Sequence, residues 1–126
     1  MNEEHEALLK EWQDRLGLQS WRIKLNPCVI PCDMAMQNVD GCTEWQETIR
    51  TARIDILDPV CYGKRIIPFD WEKTLVHELL HLKFSLVQDV ENDMQSRLMH
   101  MYIDDIARAL VDAKRSGKDG METDSH

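Results

Sequence analysis

His77-Glu78-Leu79-Leu80-His81 is the stretch of this chain best equipped to do chemistry. On a helix, positions i and i+4 share one face about one turn apart, so both imidazoles can reach one metal ion. Glu78 then projects roughly 100° further around the helix, beside that metal, where it can polarise a water. The pattern is H-E-x-x-H, and the chemistry it implies is peptide-bond hydrolysis by zinc with Glu78 as general base. Five residues can match a pattern by accident, so the rest of the site must come from the surroundings.

A catalytic zinc ion takes three protein ligands and keeps one position open for water. The metzincin continuation of the motif would need Gly and His where this chain has Phe84 and Val87, so that branch is excluded. Two candidates for the third ligand stand further along. His100 comes with Asp104 one turn beyond it, and an antiparallel neighbouring helix can return such a side chain to the metal. Asp104 would then accept an N–H hydrogen bond from a metal-bound imidazole. Glu91, in the connection between the two helices, is the alternative third ligand.

The elements that must position these residues can be read from periodicity. Leu8, Leu9, Trp12 and Leu16 have helical spacing over Glu6 to Leu16, and Gly17 is placed to end that helix. Trp21 to Leu25 alternates with period two, a strand that Pro27 and Pro31 are expected to stop. Asp40-Gly41 signals a turn. Thr43 to Ile49 and Ala52 to Leu57 then read as an antiparallel strand pair, with Arg53 and Asp55 opposite the apolar face. Asp70 is a good N-cap for an apolar helix from Trp71 to about Val87, which carries the motif. Gln88 to Asp93 reads as a break. Met94 to about Lys114 resumes helical spacing, with Met99, Ile103, Ile106 and Leu110 as one stripe. The expected fold class is α+β: an N-terminal helix, a small sheet containing antiparallel strands, a motif helix and a backing helix. Residues 1–115 form one domain in this reading, and residues 116–126 a disordered tail.

A helix-borne H-E-x-x-H followed by a second helix with an acidic residue four places after the third ligand resembles the gluzincin metallopeptidases, whose second helix carries Glu-x-x-x-Asp. The smallest of these are the minigluzincins and similar short phage-type proteins. The resemblance covers about residues 8–112 and rests on Thr74 to Leu82, His100 to Asp104, and Ile106 to Leu110. It implies a zincin-like fold, Zn2+ on His77, His81 and His100, and a peptide substrate. That substrate would lie extended along an edge strand formed by Arg53, Ile54, Asp55 and Ile56. The departure is His100, where the family places Glu; His is a competent ligand and leaves the site one negative charge poorer. A zinc-binding scaffold or regulatory module with little proteolysis is the alternative function.

Bulk composition narrows the partners. A formal charge of −8 disfavours nucleic acid or an anionic membrane as the main partner. No apolar run approaches the roughly 20 residues that span a bilayer. The start, Met1 to Glu6, is acidic and leads into no signal-type core, so a cytoplasmic site of action is expected. Four cysteines (Cys28, Cys32, Cys42, Cys61) without C-x-x-C spacing read as thiols in that setting. Trp12, Trp21, Trp45 and Trp71 read as core or rim packing. Oligomeric state is not legible.

Overall fold

The computed structural model describes residues 3–30, 40–62, 68–85 and 93–124. The described elements run α1 (Glu3–Leu16), β1 (Arg22–Val29), β2 (Gly41–Gln46), a 3-10 turn (Glu47–Ile49), β3 (Thr51–Leu57), α2 (Pro59–Tyr62), α3 (Trp71–Lys83) and α4 (Asp93–Asp124). Helices thus accompany a small three-stranded mixed sheet, and the fold class is α+β as expected. None of the described helices is long and apolar enough to cross a membrane.

α1 ends where Gly17 takes a left-handed φ of 70°, with Leu18 N donating to Gln13 O at 2.8 Å and Gly17 N to Asp14 O at 3.4 Å. Those two bonds satisfy carbonyls that the helix end would otherwise orphan, and glycine adopts that φ without steric cost. α3 begins as its sequence implies: the Asp70 side chain accepts from Lys73 N at 3.1 Å. It closes sooner than expected, at Lys83 with Phe84 as C-cap, rather than near Val87. The expected break at Gln88 to Asp93 falls almost wholly outside the described residues.

The sheet order is β1-β3-β2, with β1 parallel and β2 antiparallel to β3. Three expectations are corrected here. β1 continues through Pro27 to Val29, with a register shift after Asn26. An edge strand tolerates Pro because one side of its ladder needs no donor. The strand expected from Thr43 to Ile49 stops at Gln46 and turns. Most consequential for the site, Arg53, Ile54, Asp55 and Ile56 lie in the central strand, not at an edge. Both flanks of β3 are engaged by its neighbours, so its backbone has no open side for a substrate.

Period-two alternation sends Ala52, Ile54 and Ile56 toward the helices, where they are buried with Leu25, Leu75, Val76 and Leu79 in the main core. On the opposite face Asp55 is 1% exposed, held by Arg53 (3.0 and 2.8 Å) and by Asn26 Nδ2 at 2.7 Å. α4 packs on α3 through Ile103, Ala107 and Val111, with Met99 and Leu110 at the margin. Ile106, expected in that stripe, is exposed. Its place against the core is taken by Ala107, whose small side chain lets the two helices approach closely. α4 also continues past Ser116 to Asp124, within the segment expected as a tail.

Candidate metal centre

α3 presents His77 and His81 one turn apart, with ring centroids 5.1 Å apart. α4 brings His100 to the same place: its ring lies 4.6 Å from His77 and 5.6 Å from His81. One nitrogen from each of the three lies within 4.8 Å of the others. Around tetrahedral zinc, with Zn–N about 2.0–2.1 Å, neighbouring nitrogens are about 3.3 Å apart, so small side-chain rotations would close the set on an ion. The donor chemistry fits a metal, since three imidazole nitrogens suit zinc and its first-row neighbours alike. The alternative ligand Glu91 lies outside the described residues.

The local electrostatics favour the ligand form of His77. It is 9% exposed, and burial together with His81 and His100 lowers its pKa to about 4, against a smaller upward pull from Asp104. A neutral imidazole is what a metal requires. His77 Nδ1 lies 3.2 Å from Asp104 Oδ1. That separation is short enough for an ion pair, but a neutral ring makes it a hydrogen bond from Nδ1–H to the carboxylate. Nε2 is then the free nitrogen. Asp104 is thus placed beside His77, the contact that an orienting role would need. On its other side it accepts from Arg108 Nη2 at 2.5 Å.

Glu78 points toward the sheet. It is 6% exposed, and burial raises its pKa to about 7, opposed by one hydrogen bond, Thr43 Oγ1 to Glu78 Oε1 at 2.6 Å. A cation on the three imidazoles would pull that value back down. A carboxyl that titrates near neutrality can both take and return a proton.

β2 borders this carboxylate and is an edge strand. Leu57 N donates to Asp40 O at 2.8 Å, which sets the phase of the antiparallel ladder. Cys42, Glu44 and Gln46 then bond to β3, while Gly41, Thr43 and Trp45 turn their N–H and C=O groups outward. Among the described residues no further strand pairs with that side. The residues missed from sequence are thus Gly41 and Thr43. A glycine inside a strand, a sign of close backbone approach, was the one available signal.

Comparison with family models, with curated proteins and with solved structures gives no match, so the geometry alone must carry a functional reading.

Proposed function

We propose that this chain is a zinc-dependent peptide hydrolase of gluzincin type. His77, His81 and His100 would hold the ion, Glu78 would act as general base, and Asp104 would orient His77. The observation that carries this reading is the arrival of His100 from α4 beside His77 and His81, on the helix that also carries the buried Glu78. When bound, zinc supplies a Lewis acid that makes a water acidic near neutral pH and polarises a carbonyl. Glu78 accepts a proton on a carboxylate oxygen and later returns it to the leaving amine. Asp104 keeps the proton of His77 on Nδ1 and its Nε2 lone pair toward the metal. An extended peptide would add to the open edge of β2, bonding to the outward backbone groups of Gly41, Thr43 and Trp45.

The test pairs metal analysis with hydrolysis of a denatured-protein substrate. The parent is expected to carry one zinc per chain and to cleave. Glu78→Gln is expected to keep the zinc and lose about 10²–10⁴-fold in rate. Cleavage by Glu78→Gln at the parental rate removes the assigned role. Zinc uptake with no turnover by the parent favours instead a metal-binding scaffold that recruits a partner through the β2 edge.

A further inference from the structure

Two residues of β2 bear on Glu78, each at a different carboxylate oxygen. The Thr43 hydroxyl donates to Oε1 at 2.6 Å. Gly41 faces Oε2 so closely that a Cβ there would stand 2.8 Å from that oxygen, 3.1 Å from Glu78 Cγ and 3.0 Å from Thr74 Cγ2. Real Cβ atoms essentially never lie 2.8 Å from an oxygen, and the other two contacts are tighter than most, so a side chain at position 41 would push the carboxylate aside or shift β2 against α3. In an antiparallel strand Gly41 and Thr43 point to the same face, and the intervening Cys42 to the other.

We propose that Gly41 and Thr43 are positioning residues that divide the labour of the Glu78 oxygens: Thr43 anchors Oε1, and the bare Cα of Gly41 leaves Oε2 free to exchange a proton. This rests on the zinc-hydrolase reading above and adds a requirement that the motif does not contain. A glutamate side chain has three rotatable bonds, and a short hydrogen bond to its ionised form fixes the last of them. The same strand presents its outward backbone to an incoming peptide, so substrate and base would be held by one rigid element. Thr43 does both jobs, its main chain facing the edge and its hydroxyl facing Glu78.

The test uses zinc-loaded full-length protein and acetohydroxamate, which chelates a metal through two oxygens and gives up its hydroxyl proton on binding. A correctly placed Glu78 accepts that proton, so affinity reads carboxylate position without needing a substrate. Thr43→Val keeps the shape and removes the donor; it is expected to weaken acetohydroxamate binding about tenfold with zinc content unchanged. Thr43→Ser is expected to restore it. Gly41→Ala is expected to weaken it at least as much, and Thr43→Val carries the test if that variant fails to fold. Parental affinity in Thr43→Val, alongside weakened binding in Glu78→Gln, overturns this inference alone. Parental affinity in Glu78→Gln, or a protein that takes up no zinc, overturns the hydrolase reading and this inference with it.

Discussion

Glu72 and Glu78 lie less than two turns apart on α3, at 9% and 6% exposure, yet burial ends differently for each. Glu72 accepts from Trp12 Nε1 at 2.7 Å, Lys114 Nζ at 2.5 Å and Arg115 Nη2 at 3.2 Å. Burial alone would push its carboxyl up, but Lys114, Trp12 and Arg115 together outweigh it, and the pKa falls below its ordinary value. Glu78 has one neutral donor, Thr43, and its pKa rises to about 7. Solvent exposure is nearly the same, but the Glu78 carboxyl lies deeper in the protein and has fewer partners, and both differences push its pKa up. Glu72 is part of a knot that ties α1, α3 and α4 together, with Lys114 also reaching Glu11 at 3.1 Å. Glu78 sits where burial favours its neutral form, which costs stability whenever the carboxyl is charged.

The comparison breaks most visibly in stability. In metal-free protein at pH 8, Glu72→Gln leaves Lys114 short of a counter-charge and is expected to cost about 2–4 kcal/mol, less than a wholly unpaired buried lysine because Glu11 remains. Glu78→Gln removes a carboxylate that burial opposes and is expected to raise stability by about 1–3 kcal/mol. Urea unfolding of the three proteins measures both. Equal losses from the two variants would mean that the glutamates play the same structural part.

Metal binding sharpens the difference next. Asp104→Asn leaves the Glu72 knot untouched and alters what holds His77, together with the Asp104–Arg108 pair. Zinc affinity, measured by competition with a chelator, is expected to fall about tenfold, or about 1.4 kcal/mol. Metal-free stability should change little, because the Asp104–Arg108 pair is half exposed and such pairs contribute weakly. An unchanged affinity would place Asp104 outside the metal centre.

What could be read from the sequence divides along the same line. The motif helix, its Asp70 cap, the Gly17 stop and the His100/Asp104 pair follow from local spacing, because helical periodicity and capping act within a few residues. What was missed depends on contacts far apart in the chain. β1 returns to lie parallel beside β3, which makes β3 central and leaves β2, not Arg53 to Ile56, at the edge beside Glu78. Thr43 lies 35 residues from the carboxylate it holds, and Lys114 lies 42 from Glu72. Nothing near Glu72 in sequence announces Trp12 or Lys114. Periodicity shows which face of a strand is apolar but not which strand lies beside it.

The smallest effect is also the most diagnostic, because the two glutamates tilt stability in opposite directions with pH. Glu72 has a folded pKa below its ordinary 4.5, so between those values the unfolded chain binds more protons. Its contribution is complete above about pH 4.5 and is lost as pH falls through the folded value. Glu78 has a folded pKa of about 7, above 4.5, so in that interval the folded chain binds more protons. Its contribution is complete below about pH 4.5 and is lost as pH rises through about 7. Subtracting each Gln variant's stability curve from the parent's isolates one group at a time and cancels the other titrating residues, His77 included. The parent's advantage over Glu72→Gln is expected to hold from pH 8 down to about 4.5 and then shrink. Glu78→Gln is expected to be the more stable protein above pH 7 and to lose that lead progressively toward pH 4.5. A Glu78 difference curve that is flat across that interval would show a carboxylate already charged in the metal-free fold, and the contrast with Glu72 would then be one of partners without consequence for protonation.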